Sequence, residues 1–163
     1  MTGPLERRAA RVLLVDDDGR ILLQHCHDPS TPGEGSWWNT TGGGLDEGET
    51  SAQAAVRELR EETGLEVDEA AVGDVVHRRS TEFSFAGTAY RQSEDYFLLR
   101  TDAFDARPTA HSDLEMVAVL GTRWWSRDEL RATGERVYPE ELLDVLERLA
   151  VPGRPPFRDR PGR

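Results

Sequence analysis

The stretch from Gly42 to Leu65 constrains this chain more than any other, because it joins a run of three glycines to a strongly signalled helix. Thr50 with Gln53 three positions on forms a capping-box start, and Gly64 after Thr63 supplies a left-handed stop, so the sequence predicts a helix over Ser51 to Thr63. Ala52, Ala55, Val56, Leu59 and the Thr63 methyl recur at helical spacing and predict one buried stripe. Glu58, Glu61 and Glu62 stand at i, i+3 and i+4, which predicts carboxylates crowded on one face, turned away from that stripe. Ahead of the helix, Gly42, Gly43 and Gly44 are expected to break regular structure and let the backbone approach a ligand. Gly48 allows a second sharp turn just before Glu49.

Such crowding needs a counter-charge, since like charges four residues apart destabilise a helix and partial burial raises the penalty. Hard divalent cations that favour oxygen ligands, Mg2+ or Mn2+, would supply it. A solvated helix laced with ion pairs is the competing reading, because Arg57 and Glu61 are also four residues apart. The glycine loop feeding the helix favours a metal and phosphate site.

The rest of the chain bounds what such a site can serve. Its 163 residues suit one domain, read as residues 1–151 with a disordered Pro/Arg-rich tail over 152–163. A formal net charge of -11 repels duplex nucleic acid and anionic membrane surfaces, yet a small phosphate ester can still bind where a cation carries the charge. The single cysteine, Cys26, excludes an internal disulfide framework, fits a reducing compartment and reads as a small buried strand residue. Three arginines near the N-terminus precede no apolar stretch with a cleavage site, and no run is long enough to span a membrane, so a cytoplasmic protein is expected.

Arg11 to Val15 and Ile21 to His25 read as a hairpin around Asp18-Gly19. The acidic turn is no calcium loop, since the position that needs a bidentate Glu holds His27. Asp28 to Gly35 reads as a loop, and Trp37 and Trp38 open a short strand. Val72 to Arg100 alternates as strands, with Val75, Phe83, Phe85, Tyr90, Tyr96, Phe97, Leu98 and Leu99 as core or pocket groups. Val117 to Trp125 predicts another strand, with at most one of Trp124 and Trp125 facing the core. Ser126 with Glu129 starts a short helix, and Pro139 starts a last one running to about Ala150. Strands and hairpins on either side of a helix give an α/β fold, a sandwich with helices on both faces of a mixed β-sheet. One or two of Trp37, Trp38, Phe83, Phe85 and Tyr90 are expected to stack on a base. His25 and His27 share a strand face but are too few for zinc.

Gly43, Glu49, Arg57-Glu58-Leu59, Glu61-Glu62 and Gly64-Leu65 occupy every fixed position of the Nudix box, and the segment resembles that family. The resemblance implies a Nudix-type α/β/α sandwich and a metal-dependent pyrophosphohydrolase that cleaves a phosphoanhydride bond in a nucleoside diphosphate derivative. It implies that Glu58, Glu61 and Glu62, with the Gly43 carbonyl, hold the metal, and that Arg57 and Glu49 tie loop to helix as an ion pair. The general base varies within the family; Glu61 is the first nominee and Glu115 the second, ahead of Asp113 and Glu94. Thr41 stands where many members carry a proline, and neither Ser80 nor Thr81 to Phe83 supplies the downstream proline or tyrosine that marks certain subgroups. The resemblance leaves room for a homodimer, for an isoprenoid diphosphate isomerase, whose cysteine Cys26 is ill placed to supply, and for a nucleotide sensor without turnover.

Overall fold

The computed structural model describes residues 3–109, 118–149 and 151. Its first strand, β1 (Leu5–Val15), turns into β2 (Ile21–His27) through the acidic segment that the Asp-Gly pair predicts. The Asp16 carboxylate closes this turn by accepting from the backbone N–H of Asp18 and Arg20, at 3.0 and 2.8 Å, while Gly19 takes a φ of 76°. After β3 (Ser36–Gly44) comes α1 (Ser51–Thr63), bounded as predicted by the Thr50 and Gln53 capping box and by Gly64 at a φ of 81°. Next follow a one-turn helix α2 (Glu69–Val72), β4 (His77–Phe85), β5 (Thr88–Arg100), β6 (Val119–Trp125), α3 (Arg127–Ala132), β7 (Val137–Tyr138) and α4 (Leu142–Arg148). Ser126 and Glu129 form the capping box of α3.

The seven strands among the described residues join one mixed, curled sheet. β5 runs parallel to β1 over the whole length of β1, from Leu5 beside Tyr90 to Val15 beside Arg100, and β4 covers the far side of β5 as an antiparallel edge. β3 changes partners along its length: residues 36–40 pair with β2, and Thr41 to Gly44 pair with β1. β6 lies on the other side of β2, and β7 runs parallel beside β3.

Strand alternation sorts the apolar residues onto two faces. Ala10, Val12, Leu14, Leu22, Phe97 and Leu99 pack with Ala54, Ala55 and Leu59 of α1. Leu13, Val15, Ile21, Leu23, Trp38, Tyr96 and Trp125 pack with Leu130 of α3 and Leu142, Val145 and Leu146 of α4. A fully buried side chain such as Leu59 or Leu146 contributes about 1.5–3 kcal/mol by leaving water, so the helices are held on by these contacts. Trp125 is the core tryptophan of its pair, whereas Trp124 reaches only the rim of the α1-side cluster.

Four expectations need correction. The glycine run does not interrupt β3, because its backbone is held in the ladder with β1 as far as Gly44. The segment from Val72 to Arg100 is not strand throughout: Asp68 caps α2, which ends at Val72, and the strands begin at His77. The last helix starts at Leu142, after a cis peptide bond between Tyr138 and Pro139, and ends at Arg148; Ala150 lies outside the described residues. Among the proposed core groups, Tyr96, Phe97 and Leu99 are buried, but Phe83, Phe85 and Tyr90 are only half-buried because the β4–β5 hairpin runs past the helices. The tail over 152–163 lies outside the described residues.

Candidate active site

Helix α1 lies over the glycine end of β3, and its burial pattern differs from the sequence reading. Ala54, Ala55, Glu58, Leu59, Glu62 and Thr63 form the buried stripe. Glu58 and Glu62 therefore do not point away from the sheet; they sit on the inward edge, with only 3% and 5% of their surface exposed. Glu61 lies between stripe and solvent. Hydrophobicity turns a helix by its apolar residues, and two acids one turn apart are carried inward only if the facing strand gives them room and donors.

Gly42 and Gly43 give both. The Gly42 N–H donates to Glu62 Oε2 at 2.8 Å. A Cβ on Gly43 would lie 2.5 Å from Glu58 Oε1, so the missing side chain is the space the carboxylate occupies. Gly42 itself takes a φ of 145°, and a Cβ there would meet the Ala10 carbonyl at 2.1 Å. A side chain at either position would push strand and helix apart.

Arg57 ties the loop to the helix. Its guanidinium grips Glu49 with two donors, Nε to Oε2 at 2.8 Å and Nη2 to Oε1 at 2.9 Å, and Nη2 also donates to the Gly44 carbonyl at 3.0 Å. Glu49 Oε1 accepts from the Asp46 N–H at 3.0 Å, which closes the turn before the helix. The hydrogen bonds from Arg57 hold the Glu49 carboxyl below its usual range despite some desolvation. The remaining donor of Arg57, Nη1, lies between Glu58 Oε1 and Glu61 Oε2, at 3.0 and 3.1 Å. Hydrogen bonding to Glu49, followed by the charges of Glu58 and Glu49, outweighs desolvation and raises the Arg57 pKa, so the cation is permanent.

Glu49, Arg57, Glu58, Glu61, Glu62 and Gly43 are thus brought together in one patch, all from the segment the sequence singled out. Among the described residues no three acidic, His or Cys side chains converge as a ready-made cation cage; Arg57 bridges two of the acids instead. The donor set still fits a hard divalent ion, being all oxygen and acid-rich beside a backbone without side chains. Glu115 and Asp113 lie outside the described residues. Glu94 is not in the patch: it is buried on the opposite sheet face, paired with Arg11 and Arg79.

Cys26 is half-buried and its thiol donates to the Gln24 carbonyl; burial pushes it up to about 12, so it stays protonated. His25 stacks on Trp38 at 4.4 Å and hydrogen-bonds Ser36. Of the five aromatic candidates only Trp38 is buried, while Trp37 meets Phe85 edge-on and Phe83 stacks on Tyr90. Two arginines behind this patch escaped the sequence reading. Arg7 lies beside Gly44, where an added Cβ would approach its Nε at 2.6 Å, and Arg11 contacts Gly42, both from the strand face opposite Glu58. The signal for Arg11 was legible: it takes the inward parity of Ala9, Leu13 and Val15 in an otherwise apolar run.

Comparison with known proteins agrees with this geometry. The NUDIX domain model matches residues 5–146. The RNA pyrophosphohydrolase of Erythrobacter litoralis is 33% identical over 138 residues, covering 76% of this chain and 78% of that protein. The RNA pyrophosphohydrolase of Sphingopyxis alaskensis is 32% identical over 117 residues, covering 65% of this chain and 70% of its own length. A MutT protein from Methanosarcina mazei Go1 superposes with a TM-score of 0.68 at 17% identity, covering 92% of this chain and 96% of that one, and so shares the fold. The NUDIX domain of Shewanella oneidensis NrtR, solved with ADP ribose, superposes with a TM-score of 0.62 at 16% identity, over 91% and 90% of the two chains. A match over most of the chain, which includes the loop and helix that gather the acids, places it in the family: the chain belongs to the Nudix hydrolases, enzymes that act on acid anhydrides in phosphorus-containing compounds.

Proposed function

We propose that the chain is a metal-dependent pyrophosphohydrolase that cleaves a phosphoanhydride bond in a nucleoside diphosphate derivative, with the nucleoside triphosphate or 5′-triphosphorylated end as its class of substrate. The observation that carries this reading is the pair of buried carboxylates, Glu58 and Glu62, held under Gly42 and Gly43 with Arg57 beside Glu58. Two relatives named RNA pyrophosphohydrolase support a triphosphorylated substrate. A relative from Escherichia coli named CTP pyrophosphohydrolase, 38% identical over 71 residues, keeps the free nucleotide in play.

Glu58, Glu61 and Glu62, with the Gly43 carbonyl, would hold Mg2+ or Mn2+. When bound, that ion offsets charge on the diphosphate oxygens and lowers the pKa of water nearby. A neighbouring structure, a bifunctional NMN adenylyltransferase/ADP ribose pyrophosphatase from Francisella tularensis, contains AMP and a Mn ion. Glu61, exposed enough to meet water, takes the proton as water oxygen attacks phosphorus and the anhydride P–O bond breaks. Arg57 orients Glu61 through the 3.1 Å bond and keeps the helix registered on the loop through Glu49. The Arg57 to Glu49 pair is a positioning element, since it faces the loop backbone.

The test is a turnover panel of nucleoside triphosphates, a 5′-triphosphorylated RNA oligonucleotide and ADP-ribose, each with Mg2+ and with Mn2+. Release of pyrophosphate or orthophosphate from a triphosphate, or of AMP and ribose 5-phosphate from ADP-ribose, is expected for at least one substrate and is lost with chelator. Folded protein that turns over none of them with either ion overturns the reading.

A further inference from the structure

We infer that Arg11 is a positioning residue for the proposed metal loop, holding the peptide that leads into Gly43 from the sheet face opposite α1. The inference rests on the metal role proposed for that loop. Arg11 lies directly opposite Gly42 in the β1–β3 ladder. Its side chain leaves β1 on the face of Leu13, Val15 and Tyr96, the α4 side, whereas Glu58 and Glu62 approach from the α1 side. From there Nη1 donates to the carbonyls of Thr40 at 3.1 Å and Gly42 at 3.0 Å.

Gly42 is therefore gripped from both sides of the sheet: its N–H by Glu62 and its C=O by Arg11. One residue beyond Gly43, the Gly44 carbonyl is held by Arg57. Gly43 thus lies between two anchored peptides. The absence of a side chain at Gly42 serves the same clamp, because a Cβ there would lie 2.9 Å from Arg11 Cδ.

A guanidinium placed only to balance a buried acid has no need of those carbonyls. Here Nε serves the acid, at 3.1 Å from Glu94 Oε2, and Nη1 is spent on the two β3 carbonyls. Glu94 is itself fixed by Arg79 at 2.6 Å, by Gln92 Nε2 at 3.2 Å and by the Tyr96 hydroxyl at 3.3 Å. Arg79 in turn meets Glu141 at 3.4 Å, which anchors the network at the start of α4. A rigid acid orients a planar fork, and the fork orients the loop; groups that orient ligands from behind typically change metal affinity about 10–100-fold when removed.

Arg11→Lys tests this. Lysine keeps a cation beside Glu94 but cannot reach the acid and both carbonyls with a planar fork. Mn2+ binding is read without nucleotide, by the electron paramagnetic resonance signal of the free ion, alongside the thermal midpoint and steady-state kinetics. The expected result is a folded variant with a Mn2+ Kd raised about 10–100-fold, a turnover rate that recovers as metal is raised to saturation, and an unchanged nucleotide KM at that point. A folded Arg11→Lys protein with wild-type Mn2+ affinity overturns the inference and leaves the proposed function standing; wild-type protein that binds no Mn2+ sinks both. Should Arg11→Lys not fold, Glu94→Gln, which loosens the anchor while leaving the fork and both carbonyls, is read the same way: weakened Mn2+ binding supports the clamp, and unchanged binding overturns it.

Discussion

Two buried ionic centres lie back to back across the strand β3, and they are built on opposite principles. On the α4 side, Glu94 lies between Arg11 and Arg79, and Arg79 also meets Glu141, so two acids face two guanidinium groups. On the α1 side, Asp46, Glu49, Glu58 and Glu61 all pair with Arg57, with Glu62 close by on the Gly42 N–H. A balanced network repays much of its desolvation internally, whereas an acid-rich one does so only with a cation brought from outside. On the function proposed above, the second centre is the one that would receive a cation.

The sharpest way to break the comparison is to neutralise one acid on each side. Glu62→Gln keeps the shape and the acceptor for the Gly42 N–H but removes a charge from the overloaded side. Turnover is expected to fall by roughly a hundredfold or more, in line with loss of a metal-ion contribution, with the urea midpoint unchanged or higher. Retained activity would remove Glu62 from the proposed machinery. Glu94→Ala on the balanced side should do the reverse, costing about 3–5 kcal/mol of stability because two buried guanidinium groups lose their acid. A urea midpoint within error of wild type would show that the two sides are not so different.

Acid should separate the centres further. Burial alone would lift the Glu94 carboxyl, but Arg11 and Arg79 prevail and hold it below its ordinary value of 4.5. Its folded pKa is depressed, so the stability it contributes is present above 4.5 and lost as the pH falls through the lower folded value. Unfolding free energy measured from pH 7 down to pH 3 should therefore drop at the acid end in wild type, and drop less in Glu94→Gln. Smallest of all, Thr50→Ala removes the cap of α1 and should cost about 1 kcal/mol, with little change in turnover at saturating metal.

Local chemistry was the part of this architecture that could be read from the chain. The start and stop of α1 follow from Thr50, Gln53 and Gly64, and the first hairpin from Asp16 to Arg20, because their signals lie within a few residues of what they control. The direction of Glu58 and Glu62 was not legible by hydrophobicity, since a helical wheel turns acids outward unless the facing strand is known to lack side chains. Glu94 was nominated as a lesser general base because its partner Arg11 is 83 positions away, and only the parallel register of β1 with β5 brings them level. The two-residue strand β7 escaped for a similar reason: Val137 and Tyr138 are defined by pairing with Trp38 and Asn39.

The change of partner within β3 has an evolutionary consequence. Because Ser36 to Thr40 are registered by β2 and Thr41 to Gly44 by β1, a shift in one ladder is not passed automatically to the other. Residues such as Trp37 and Asn39 can therefore be exchanged while the glycines keep their place. A lineage can vary the β2-paired half of this strand without moving the Gly42 N–H from which Glu62 accepts.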